Sequence, residues 1–167
     1  MSLAPFDPIR ILRALNEAGV RYVVIGAYAG RLLGSPSVTR DLDICYARDA
    51  ENLESLVQVL MGLGARLRGG GDDVDMSFRL DARTLRAGDT FTFSTDAGAF
   101  DIIGTPEGTT GYEDLMRSAE PMDLDGVTVL VAAIDDLIRM KRAAGRPKDR
   151  VELEILGALR EEIDRLS

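Results

Sequence analysis

Two aspartates one residue apart stand in the run Asp41-Leu42-Asp43-Ile44-Cys45. Acid and apolar residues alternate there with the period of a β-strand, so both carboxylates project from one face while Leu42 and Ile44 enter a core. Carboxylate oxygens paired in this way suit a hard divalent cation, magnesium or manganese. A third acid repeats the pattern in Ala99-Phe100-Asp101-Ile102-Ile103. An aspartate between apolar strand residues is costly to bury unless it is paired or bound to metal, which makes Asp101 the candidate third ligand. An arginine such as Arg40 is the alternative partner for it. The chain has no histidine, so the commonest general base, the commonest zinc ligand and every Ser/His or Cys/His dyad are excluded. The one cysteine, Cys45, shares the parity of Asp41 and Asp43 and reads as a small buried residue.

The elements around these residues follow from periodicity and breakers. Pro8, then Ile9, Leu12 and Leu15 at helical spacing, and Gly19 as a stop predict a first helix. Tyr22 to Ile25 is a buried strand ending at Gly26, Ala27 to Leu33 a short helix, and Gly34-Ser35-Pro36-Ser37 a breaker before the acidic strand. A glycine at a strand-to-helix turn lets backbone amides approach a phosphate, and the helix N-terminus favours its negative charge. Further on, Leu53, Leu56, Val57, Leu60 and Leu63 make one helical stripe that ends before Gly69-Gly70-Gly71. Short strands are expected at Met76 to Leu80, Phe91 to Ser94 and Ala99 to Ile103, and a short helix at Tyr112 to Ser118. Asp125-Gly126 signals a hairpin, Ile134 to Ala144 a helix ended by Gly145, and Pro147 opens a last helix with Val151, Ile155, Leu156, Leu159 and Ile163 inward. The fold class is α/β or α+β with a mixed sheet, in one domain over residues 1–167 with closing helices over 133–165. Two other Asp-x-Asp pairs, Asp73/Asp75 and Asp123/Asp125, read as solvated turns. The loop Gly104-Thr105-Pro106-Glu107-Gly108 lacks the Gly-Lys-Ser/Thr ending of a P-loop and reads as a surface turn.

The order strand, Gly26, short helix, loop, Asp41-Leu42-Asp43-Ile44 resembles the DNA polymerase β-like nucleotidyltransferase superfamily, matched at Ile25-Gly26-Ala27 and at the two aspartates. Ala27 departs from that family's second Gly or Ser, so a hydroxyl contact to phosphate is missing while the backbone contact remains. The segment from Asp136 to Leu153 resembles the lysine-then-Arg/Lys-Asp signature of minimal nucleotidyltransferases related to abortive-infection and type IV toxin (AbiEii-like) enzymes, with Glu152 where those relatives carry Asp. The resemblance implies that Asp41, Asp43 and Asp101 bind Mg2+ or Mn2+. It also implies that Gly26, Ala27, Thr39, Arg40 and Lys141 contact the nucleotide, and that Asp149 acts as a base or orienting group. The implied reaction moves a nucleoside monophosphate from an NTP to an acceptor hydroxyl and releases pyrophosphate. The alternative is a non-catalytic binding protein that keeps the fold, for example one half of a toxin-antitoxin pair.

The 28 acidic and 20 basic side chains give a net charge of −8, which disfavours RNA as acceptor and favours a small cationic molecule or a protein. Part of the acceptor site could come from a second subunit or a partner protein. One cysteine allows no intrachain disulfide, no apolar run reaches the roughly 20 residues of a membrane span, and no signal segment is evident. A soluble, cytoplasmic protein is expected.

Overall fold

The computed structural model describes residues 4–68 and 78–167. Helix α1 (Pro8–Glu17) begins where Asp7 accepts the Arg10 amide at 3.2 Å, with Pro8 in its first turn and Ile11, Leu12 and Leu15 buried. There follow β1 (Tyr22–Ile25), α2 (Gly26–Leu32), β2 (Asp41–Tyr46), α3 (Ala50–Gly62), β3 (Arg66–Leu67), α4 (Ala82–Ala87), β4 (Thr90–Thr95) and β5 (Gly98–Ile103). The chain continues through α5 (Tyr112–Met116), β6 (Glu120–Leu124), β7 (Val127–Val131), α6 (Ile134–Ala144) and α7 (Asp149–Leu166).

The seven strands among the described residues join one mixed sheet in the order β3-β4-β5-β2-β1-β7-β6. β1 is parallel to β7 and β2 to β5, and the other neighbours are antiparallel. The centre of the sheet is the acidic strand β2, lying between the fully buried β1 and the alternating β5. Leu42, Ile44, Phe100 and Ile102 are 0% exposed and join a core with Ile11, Leu15, Leu53, Leu56 and Leu60 from α1 and α3. That burial commits one face of β2 and β5 to apolar contact and leaves the alternate face, with Asp41, Asp43 and Asp101, to the cleft described below.

Several elements depart from the expectations. The strand from Met76 lies partly outside the described residues, and its described part, residues 78–80, is not a strand. Gly69-Gly70-Gly71 and Asp73/Asp75 also lie outside them. The short β3 and α4 carry no period long enough to read, although Asp81 caps α4 by accepting the Thr84 amide at 2.8 Å. α7 starts at Asp149, two residues after Pro147, and its inward face is set by Leu156, which is 2% exposed. Val151, expected to face inward, is 66% exposed. The hairpin at Asp125-Gly126 is present, with Asp125 at φ 55° in the turn.

Candidate active site

The parallel register of β2 and β5 sets Asp43 opposite Asp101 and Asp41 opposite Ala99. Period-two alternation then brings the three carboxylates to one face, and one oxygen from each lies within 4.8 Å of the others. Burial, and then the negative charges of Asp41 and Asp101, push Asp43 up to about 8, against the pull of Lys141. Burial also raises Asp101, although the Arg68 guanidinium beside it opposes the shift. Three crowded carboxylates with this little compensation are a donor set that fits a hard divalent cation.

Gly26 is required beside this cluster on two counts. Its φ is +72°, in the left-handed region, and a Cβ there would lie 2.1 Å from Asp43 Oδ2. The backbone at the start of α2 therefore lies against the carboxylate, an approach that no side chain permits. Gly26 and Ala27 both line a cleft of about 690 Å³, together with Asp41, Asp43 and Asp101.

The end of α6 adds Lys141 to the same lining, the loop between α6 and α7 adds Arg146 and Lys148, and α7 adds Glu152. Lys141 Nζ donates to Asp149 Oδ1 at 3.3 Å, and Arg146 Nε donates to Asp149 Oδ2 at 2.9 Å. Asp149 itself is 3% exposed and does not line the cleft. Burial would raise its pKa, but Arg146 and Lys141 outweigh burial and hold the carboxyl below its ordinary value. Asp149 is thus placed to orient the two cations, and its position behind them suits orientation better than proton transfer. Glu152 accepts from Ser37 Oγ at 2.9 Å, tying α7 to the loop that enters β2.

Thr39 and Arg40 are placed differently from the other sequence candidates. Neither lines the cleft. Thr39 Oγ1 donates to Asp41 Oδ1 at 3.1 Å, so its hydroxyl steadies the carboxylate. Arg40 is exposed and lies in the loop just before β2. The cation on Asp101 is instead Arg68, whose Nη2 lies 2.7 Å from Asp101 Oδ1. No sequence signal marked Arg68, because it meets Asp101 only through the pairing of β3, β4 and β5. The 104–108 loop is a surface turn, and its Thr105, Pro106 and Glu107 also form one rim of the cleft. Cys45 is buried, lies 3.5 Å by its Sγ from the Gly104 carbonyl, and burial pushes its thiol up to about 12.

The mixed sheet with the Gly26 turn, the carboxylates on neighbouring parallel strands and the closing helices is the nucleotidyltransferase fold. Solved structures that share it include lincomycin-bound LnuA, a lincosamide antibiotic adenylyltransferase, at 12% identity and a TM-score of 0.60, over 91% of this chain and 95% of that one. The Thermotoga maritima protein TM1012, assigned as a nucleotidyltransferase, matches at 16% identity and a TM-score of 0.55 over 97% of both chains. The antibiotic-resistance enzyme ANT(2")-Ia in complex with adenylyl-2"-tobramycin matches at 15% identity and a TM-score of 0.55, over 96% of this chain and 97% of that one. No protein-family model matches the chain, and no curated protein matches it significantly in sequence.

Proposed function

We propose that this protein is a metal-dependent nucleotidyltransferase that moves a nucleoside monophosphate from an NTP to the hydroxyl of a small acceptor, releasing pyrophosphate. The observation that carries the reading is the meeting of Asp41, Asp43 and Asp101 within 4.8 Å, against Gly26, at the floor of a cleft. Asp41 and Asp43 would hold Mg2+ or Mn2+, with Asp101 completing the set. Bound there, the ion would lower the pKa of the acceptor hydroxyl and offset charge on the departing phosphates.

The chain's own groups account for orientation. The amides of Gly26 and Ala27, at the start of α2, would cradle the phosphates. Lys141, Arg146 and Lys148 attract the same phosphates, with Asp149 fixing the first two. Thr39 steadies Asp41, and the exposed Arg40 is left to meet a nucleotide only from outside the cleft.

The distribution of charge supports a small acceptor rather than RNA. Thr90, Thr105 and Glu107 contribute no cation to the lining, whereas the end of α6 and the loop after it contribute three. The NTP phosphates therefore belong beside Lys141, Arg146 and Lys148, and the acceptor beside Thr90, Thr105 and Glu107, where Glu107 favours a cationic group. A cleft of about 690 Å³ is within the range of small-molecule sites, roughly 300–1,000 Å³. LnuA and ANT(2")-Ia, which share the fold, hold small antibiotics or their adducts.

Calorimetric titration of ATP, CTP, GTP and UTP with magnesium into the wild type and into Asp41→Ala/Asp43→Ala tests the site. Magnesium-dependent binding of at least one nucleotide, abolished in the double variant, is the expected result and names the donor for pyrophosphate-release assays with amino-sugar and lincosamide acceptors. No binding of any nucleotide would overturn the enzyme reading. It would leave the fold as a partner-binding scaffold of the toxin-antitoxin type, a reading that Ala27 in the phosphate turn favours.

A further inference from the structure

Of the three clustered carboxylates, Asp101 alone is in an ion pair among the described residues, with Arg68 Nη2 at 2.7 Å from its Oδ1. Arg68 is anchored for this contact. Its amide donates to the Thr92 carbonyl at 2.9 Å, its carbonyl accepts the Thr92 hydroxyl at 3.2 Å, and Nη1 donates to the Phe93 carbonyl at 3.2 Å. Thr92 is also the β4 residue in register with Asp101, so one backbone position sets both partners. The Arg68 side chain is 29% exposed and that of Asp101 13%, which places the pair at the edge of the cluster and within reach of solvent.

We propose that Arg68 is a built-in counter-cation of the carboxylate cluster, neutralising Asp101 while no divalent ion is bound and competing with that ion for Asp101 Oδ1. The inference rests on the metal-site reading above. Carboxylates within 4.8 Å repel one another, and a fixed guanidinium at one corner relieves that repulsion in the folded, metal-free chain. The same positive charge opposes a second cation at the same oxygen. The consequence is weak binding of a divalent ion alone, so the ion is captured together with the NTP, whose phosphates add ligands of their own.

The test is a titration of Mn2+ alone, followed by calorimetry and by the paramagnetic signal of free Mn2+, into the wild type, Arg68→Met and Arg68→Lys at pH 9, where protons compete little for the carboxylates. Arg68→Met is expected to bind Mn2+ about tenfold more tightly, the size of a partly exposed charge-assisted pair, and Arg68→Lys to stay within about threefold of wild type. Adding Asp101→Asn to Arg68→Met is expected to abolish the gain. Unchanged or weaker Mn2+ binding in Arg68→Met would overturn the proposal and leave Arg68 as a prop for Asp101. Absence of Mn2+ binding to wild type and variants alike would overturn the metal site together with it. Thermal melts verify folding, and Arg68→Gln, which keeps a donor for the Phe93 carbonyl, replaces Arg68→Met if that variant does not fold.

Discussion

Asp43→Asn tests the electrostatics of the site without any assay of turnover. Asp43 is raised from 3.8 to about 8, first by burial and then by Asp41 and Asp101. A folded pKa above the unfolded one means that the folded state binds the extra proton. This stability is fully present below about pH 4 and is lost as the pH rises through 8. A shift of about four units would correspond to about 5–6 kcal/mol at 1.36 kcal/mol per unit. Water reaches the carboxylate through the cleft, so about half of that, roughly 2–3 kcal/mol, is the realistic loss in the metal-free protein. Asparagine carries no charge at any of these pH values and its amide can still donate to Asp101. Asp43→Asn in EDTA should therefore match wild type near pH 4–5 and exceed it by about 4–10 °C in Tm at pH 8. Calorimetric scans of both proteins between pH 4 and 9, with EDTA and then with saturating magnesium, read the effect. Magnesium should raise the wild-type Tm most at high pH and leave Asp43→Asn almost unmoved. A gap that does not vary with pH, or a variant less stable than wild type at pH 8 in EDTA, would refute the account of Asp43 as a crowded, uncompensated acid.

Two further outcomes follow from the same geometry. Gly26→Ala forces a Cβ to within 2.1 Å of Asp43 Oδ2 at a φ of +72°, and should cost about 2–3 kcal/mol in urea denaturation while abolishing magnesium-dependent stabilisation. Asp149→Asn leaves Lys141 and Arg146 without their shared anion and should cost about 2–4 kcal/mol at pH 7. Because the Asp149 pKa is depressed, the cost should shrink only as the pH falls below the ordinary carboxylate range and through the lowered pKa, where the wild-type carboxylate also loses its charge, and chemical denaturation across the acid range and at pH 7 reads the difference. The same variant should weaken NTP binding more than Mn2+ binding, which calorimetry separates.

Local pattern was enough for the parts of this protein whose signal is local. Alternation in Asp41-Leu42-Asp43-Ile44 settles that the two acids share a face, because a side-chain period of two leaves no other arrangement in a strand. Gly26, Gly145 and Asp125-Gly126 mark turns because backbone conformations with positive φ exclude most other residues. The stripe of Leu53, Leu56, Val57, Leu60 and Leu63 is buried because helical spacing leaves it one face to hide. Asp101 was readable as an acid in a strand, but only the parallel register of β2 with β5 sets it opposite Asp43. The arginine on Asp101 is Arg68 rather than Arg40, since β3 reaches β5 only through β4 in the order of the sheet, and no local pattern along the chain encodes that order. Val151 and Ile163 of the apolar α7 set are exposed, because the buried stripe runs through Asp149 and Leu156, seven residues apart, and which stripe of a helix turns inward is decided by what packs against it. Which charges meet in the cleft is likewise a tertiary outcome: strand pairing and the docking of α6 and α7 bring together residues more than a hundred positions apart, and no short-range period encodes that.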